Sequence, residues 1–270
     1  MLRTRIISAA VAAAILIPVL VLGGVRATAV LVVLLAGLGV WELASQVPAL
    51  KASPRKELAL VLGVAVIVAL YRLPVEAFPA VVVGLPLLVL LIHLFLYNVI
   101  ENTVESASEM IFVLAYVTVP LGHAVLLARL DLGIAWVFFV LVVICLGDAC
   151  AYFAGNYCGK HRFSSQVSPK KTLEGLVGGV AGNYAGMLIM AVIVPGLPPL
   201  KALAQLTLLL AVAGPLGDLC ASAIKRRLQI KDFGVIMPGH GGLLDRADSL
   251  IPAFPVTYYF LVLAGYSVLR

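Results

Sequence analysis

Charge is scarce in this chain. Asp, Glu, Lys and Arg make up 12% of its 270 residues, against 63% apolar. A water-soluble domain needs far more charge than that, so an ordinary globular enzyme is excluded. Cysteine is sparse too: Cys145, Cys150, Cys158 and Cys220 include no CxxC pair, and three lie in or beside apolar runs. They read as small packing residues, not as a zinc site or a disulfide framework. His93 and His123 stand alone in apolar sequence, which suits hydrogen-bonded packing. Strict apolar–polar alternation, the mark of a transmembrane β-barrel, is missing. No nucleic-acid module is visible, and the net charge of +6 suits lipid headgroups and phosphates.

What is abundant is hydrocarbon. Mean hydropathy is +1.12, and apolar runs near 20 residues recur, each long enough for a membrane helix. Lipid admits only helices and closed barrels as spanning structures. The expected fold is therefore an all-α integral membrane protein, a polytopic bundle of nine helices with a cytosol-facing polar cavity. The candidate spans are about 6–24, 27–45, 57–71, 78–100, 110–127, 132–154, 174–195, 202–223 and 249–269. Arg3 and Arg5 precede a first run of about 19 apolar residues, longer than the ~7–15 of a cleaved leader. It is expected to be retained as a span.

Lysine and arginine counts orient the bundle. With the N-terminus inside, the inner segments hold 14 of the 19 basic residues and the outer segments hold five, one each at Arg26, Arg72, Arg129, Lys201 and Arg270. The expectation is N-in and C-out in the cytoplasmic (inner) membrane, with loops 155–173 and 224–248 in the cytosol. Residues 1–140 then serve as scaffold, lipid access and dimer contacts, and residues 141–270 as the catalytic region. Glu101, Glu105 and Glu109 share one helical face and read as a solvated extension.

Charge is concentrated in one place. Ser222–Asp248 packs five basic and three acidic residues into 27 positions between apolar runs. Charges beside hydrocarbon are costly and are expected to face a cavity and to have a function. Asp218, Ser222 and Lys225 recur on one helical face, behind a helix loosened by Gly214, Pro215 and Gly217. Gly241 and Gly242 bare backbone N–H groups to an approaching phosphate. Asp245 and Asp248 point the same way on a short helix. With Asp218 they offer oxygen ligands to a hard divalent cation such as Mg²⁺.

Two further segments belong with this one. Asp148, Tyr152, Gly155 and Gly159 share a face, read either as a cavity wall or as a packing contact. Ser168–Gly175 sets Lys170 and Lys171 just before a helix N-terminus, which attracts phosphate. Gly175, Gly178, Gly179, Gly182 and Gly186 allow close helix packing, within a protomer or across a dimer. Together these segments suit phosphoryl or nucleotidyl transfer to a lipid, which needs positioning and charge neutralisation more than covalent help.

The run Ser222-x-x-Lys225-Arg226-x4-Lys231-Asp232-x-Gly234-x3-Pro238-x-His240-Gly241-Gly242-x2-Asp245-Arg246-x-Asp248 resembles the signature of the phosphatidate cytidylyltransferases, the CDP-diacylglycerol synthases. So do Gly217-Asp218, the Asp148–Lys160 pattern and Ser168-Pro169-Lys170-Lys171-Thr172. The match spans roughly 145–250, with mild departures at Met237 and Ala247. The resemblance implies that CTP and phosphatidate give CDP-diacylglycerol and pyrophosphate, with Mg²⁺ and with a second cation left open. It implies a homodimer among membrane lipids. Carried onto these residues, Asp218, Asp245 and Asp248 hold metal. Lys170, Lys171, Lys225, Arg226 and Arg246 neutralise phosphate, and His240 orients one. Asp148, Tyr152 and Ser222 line the substrate site. The alternatives are a CTP-dependent kinase of a lipid alcohol and, in another class, a transporter using the intramembrane Asp residues.

Overall fold

The computed structural model describes residues 2–51, 54–96, 100–164, 168–234 and 241–266. Helices dominate it: α1 (Leu2–Gln46), α2 (Arg55–Arg72), α3 (Phe78–Leu96), α4 (Ile100–Val113), α5 (Val119–Ala128), α6 (Gly133–Cys158), α7 (Leu173–Ile193), α8 (Leu200–Arg227), α9 (Leu244–Ala247) and α10 (Leu250–Leu263). Each apolar run of the sequence falls on a helix. Six helical stretches among the described residues are long and apolar enough to cross a membrane. α10 is a shorter apolar helix.

The first two apolar runs form one helical stretch broken at Gly24, whose φ of 55° and ψ of −139° leave helical geometry. Only glycine adopts that region readily. Glu109, expected on a solvated extension, instead accepts the Ala49 N–H at 2.8 Å and ties α4 to the turn after α1. α4 and α5 continue into each other through a π-helical turn, Leu114–Thr118. The resulting stretch, Thr103–Ala128, is 67% buried, whereas the other five are between 17% and 39% buried. It is the central rod, and the remaining helices turn apolar faces such as Leu188, Ile189 and Val192 outward.

One element departs from the all-helical expectation. β1 (Arg162–Ser164) and β2 (Ser168–Thr172) pair antiparallel in the loop between α6 and α7. That loop must return the chain to its neighbour helix, and strand pairing satisfies its backbone N–H and C=O groups.

α6 and α7 pack along a seam of small residues. A Cβ at Gly178 would lie 2.3 Å from Ala154 Cβ, and one at Gly182 would lie 2.5 Å from the Leu146 carbonyl. Asn183 seats its amide over Gly147. The glycines therefore serve packing within the protomer. Lipid gives no hydrophobic drive between helices, so close van der Waals contact carries the association. The histidines behave as the sequence suggested. His93 Nδ1 donates to the Val89 carbonyl and Nε2 accepts from Ser106, while His123 packs among Phe78, Tyr258 and Tyr259. All four cysteines are free.

Candidate functional site

The site forms where the ends of α6, α7 and α8 meet the segment 231–248. Thr172 caps α7, its hydroxyl accepting the Gly175 N–H at 3.1 Å. This cap sets the preceding residue, Lys171, against α8. Lys171 Nζ reaches Asp218 Oδ2 at 2.7 Å and the Pro215 carbonyl at 3.1 Å. The loop after α6 is thus joined directly to α8. Ser222, one turn along α8, makes a long 3.5 Å contact with Asp218.

Lys225, another turn on, does not pair with Asp218, as the two-turn separation suggested. It pairs with Asp245 at 2.7 Å, and both side chains are largely buried, at 16% and 7% exposure. Asp245 Oδ2 accepts the N–H groups of Phe233 (2.8 Å) and Gly242 (3.0 Å). The carboxylate therefore ties Phe233 to Gly242. Gly241 turns there with φ of 81°, and a Cβ on it would crowd Asp245 and Asp232. Among the described glycines of this segment, it is the one in left-handed backbone.

Asp248 follows on the same turn, with Oδ1 accepting the Ser249 N–H at 2.8 Å. Burial first, then the neighbouring Asp218 carboxylate, push its pKa up from the ordinary 3.8 to about 7. Asp148 adds to this, and Lys225 opposes it. Ser249 also faces the Asp148 carboxylate, which lines a small cavity between α6, α7 and α8 with Asn183, Gly214 and Pro215. Three carboxylates from three helical segments thus share one electrostatic neighbourhood.

Of the other expected residues, Arg226 and Arg246 are exposed at the rim. Tyr152 is 65% exposed and packs its ring edge-on against Phe153. Gly155 and Gly159 pack against Thr172. His240 and the Lys170 side chain lie outside the described residues.

Two residues went unnoticed in the sequence. Tyr116, on the π turn, lies within electrostatic reach of Asp248, Asp218 and Asp245, and its buried hydroxyl has no hydrogen-bond partner among the described residues. π turns are common at functional sites. Glu42 of α1 is 3% exposed and accepts the Leu243 and Leu244 N–H groups. An acid inside an apolar helix was the available signal.

Among the described residues, no three His, Cys, Asp or Glu side chains stand at metal-holding spacing. The donor chemistry nevertheless fits a hard cation. Asp218, Asp245 and Asp248 supply only oxygen, and the buried Tyr116 hydroxyl, within their electrostatic reach, is unpartnered among the described residues. Mg²⁺ commonly uses one or two carboxylates and fills its sphere with substrate phosphate and water.

A family model described as "Cytidylyltransferase family" matches residues 3–264. The chain is 36% identical over 174 residues to the phosphatidate cytidylyltransferase of Bacillus subtilis (strain 168), covering 63% of this chain and 65% of that protein. It is 35% identical over 167 residues to the phosphatidate cytidylyltransferase of Staphylococcus saprophyticus, covering 62% and 64%. It is 45% identical over 131 residues to an Escherichia coli (strain K12) protein named only as the uncharacterized protein YnbB, covering 48% and 43%. The matched segments span just under two thirds of the two cytidylyltransferases and less than half of the E. coli protein.

Proposed function

The chain belongs to the cytidylyltransferase family, and from that premise we propose that it transfers the cytidylyl group of CTP to phosphatidate. A phosphate oxygen of phosphatidate attacks the α-phosphorus of CTP. The bond from that phosphorus to the bridging oxygen of the β-phosphate breaks, and pyrophosphate leaves with the electron pair. The products are CDP-diacylglycerol and pyrophosphate. The observation that carries this reading is the junction of Lys171 with Asp218 and of Lys225 with Asp245 around Asp248. It sets cations and carboxylates at one end of an apolar bundle, where a triphosphate and a lipid phosphate can meet.

Asp218, Asp245 and Asp248 would hold Mg²⁺, which when bound neutralises the triphosphate and the departing pyrophosphate. Lys171 and Lys225 are the inner cations. Each is held by a carboxylate, so each is placed before substrate arrives and loses little freedom in meeting phosphate. Arg226 and Arg246 would act from the rim with the Gly241 N–H, and Lys170 would be a further cation; the Gly242 N–H, expected to meet phosphate, is instead held by Asp245. His240 would orient a phosphate. Asp148 lines the cavity, and Ser222 and Tyr152 would complete the substrate site.

The positive-inside count supports nine crossings, N-in and C-out, with the site facing the cytoplasm, where CTP is available. The family resemblance supports a homodimer. The division into a scaffold over 1–140 and a catalytic region over 141–270 is retained, with Glu42 and Tyr116 reaching across it.

α-Labelled CTP with phosphatidate in mixed micelles tests the reading. Label in the lipid product, dependent on Mg²⁺, is expected. Label recovered only in CDP would indicate transfer of the γ-phosphate to a lipid alcohol instead. Substrate flux in proteoliposomes without nucleotide turnover would indicate a transporter.

A further inference from the structure

α1 lies far from the charged segment in sequence, yet it holds that segment at both ends. Glu42 Oε1 accepts the Leu243 N–H at 2.9 Å, and Oε2 accepts the Leu244 N–H at 3.0 Å. Gln46, one turn later on the same face, donates from Nε2 to the Phe233 carbonyl at 3.2 Å. The anchored residues flank the 235–240 loop. The fit is close: a Cβ at Gly234 would lie 2.4 Å from Glu42 Oε1, and one at Gly242 would lie 2.6 Å from Oε2.

Physical chemistry limits what such a group is for. A carboxylate taken into an apolar bundle is costly unless its oxygens are satisfied, and ordinary packing could fill the place without a charge. Here both oxygens go to consecutive backbone N–H groups at the start of α9. The anchor ends one residue before Asp245 and four before Asp248. Asp245 grips Phe233 and Gly242 from the other side. The turn that carries both aspartates is therefore clamped between α1 and Lys225.

We propose that Glu42 is a positioning residue: it sets the Leu243–Asp248 turn, and through it Asp245 and Asp248, against Asp218 and Lys225. Its kinetic consequence rests on the cytidylyl-transfer reading; its structural consequence does not.

The test compares full-length wild type with Glu42→Gln and Glu42→Asp in detergent. Amide exchange is followed in a peptide covering 241–248 and in a control peptide from the α6–α7 seam. Thermal melting and labelled-CTP kinetics are measured alongside. Glu42→Gln turns one acceptor oxygen into an NH₂ that faces an N–H. Exchange over 241–248 is expected to quicken by roughly tenfold, with the control peptide unchanged. The kcat is expected to fall by about 10- to 100-fold through misplacement of the aspartates, with KM for CTP changed far less. Glu42→Asp keeps two acceptor oxygens on a shorter arm and is expected to recover part of the kcat. Should Glu42→Gln fail to fold, Gln46→Ala carries the same expectation at smaller size.

Unchanged exchange over 241–248 would overturn the proposal. So would a lowered melting temperature with kcat kept within twofold, which would leave Glu42 a structural anchor only. A wild type that transfers no label sinks the cytidylyl-transfer reading alone, and the exchange comparison then decides on Glu42.

Discussion

Lys171 Nζ lies 2.7 Å from Asp218 Oδ2, and this contact joins the loop after α6 to the end of α8. The two residues are 47 positions apart, and no periodicity links them. The Thr172 cap on α7 brings Lys171 to α8, where it also meets the carbonyl of Pro215.

Lys171→Ala removes the inner cation and leaves Asp218 unpaired. With labelled CTP, kcat/KM is expected to fall by at least ~100-fold, on the scale of losing one preorganised electrostatic contact. Lys171→Arg keeps charge but not the compact ammonium, and is expected to restore only part of it. Wild-type kinetics in Lys171→Ala would remove this residue from the site.

Asp245 and Asp248 are expected to separate in a stability measurement. Asp245 satisfies Lys225 and two backbone N–H groups, so Asp245→Ala leaves a buried ammonium without its partner. A loss of about 3–5 kcal/mol is the usual scale for that, seen as a much lower melting temperature together with lost turnover. Asp248→Ala removes a carboxylate repelled by Asp218. It is expected to abolish turnover with the melting temperature kept or raised. Equal destabilisation by the two variants would contradict this division of roles.

The raised pKa of Asp248 has a sign that can be checked. Its carboxyl holds its proton in the folded protein up to about pH 7, whereas the unfolded chain releases it near the ordinary carboxylate value. The group's contribution to stability is thus full below about pH 4 and lost as pH rises through 7. Added Mg²⁺ must displace that proton. Its apparent affinity, read from Mg²⁺-dependent thermal shifts, is expected to rise by up to ~10-fold per pH unit below 7 and to level above it. Asp248→Asn is expected to flatten the profile, and a wild-type profile in that variant would refute the assignment.

The α6–α7 seam has no room for a methyl group at Gly182, where a Cβ would lie 2.5 Å from the Leu146 carbonyl. Gly182→Ala is expected to cost about 1–3 kcal/mol by overpacking, measured as a drop in melting temperature. Gly84→Ala, with nothing within 4 Å of the added carbon, is the control and is expected to melt like wild type. Similar melting of the two variants would mean that α7 can move away from α6 at little cost.

Much of the site was legible from local pattern. Asp218, Lys225, Asp245 and Asp248 stood out because charge near hydrocarbon is conspicuous. The same rule, applied to Glu42, would have found the α1 anchor. Tyr116 could not be found this way, since a tyrosine in an apolar run carries no such signal, and the π turn that presents it leaves no mark in the hydrophobic pattern. Spacing puts Asp148 and Tyr152 on one side of α6; Asp148 lines the cavity there and Tyr152 is exposed.

The sequence by itself determined that this is a helical membrane protein with its charge gathered into short segments, because hydropathy and charge cost act locally along the chain. It also supported the two-loop arrangement, through helix spacing and basic-residue counts. The tertiary structure decided the partners: Lys171 with Asp218, Lys225 with Asp245, and Glu42 with the backbone of Leu243 and Leu244. Ion pairs and N–H donors satisfy one another wherever packing brings them within about 3 Å. In a bundle, that depends on which helix faces abut, a relation between distant segments that one-dimensional spacing does not contain.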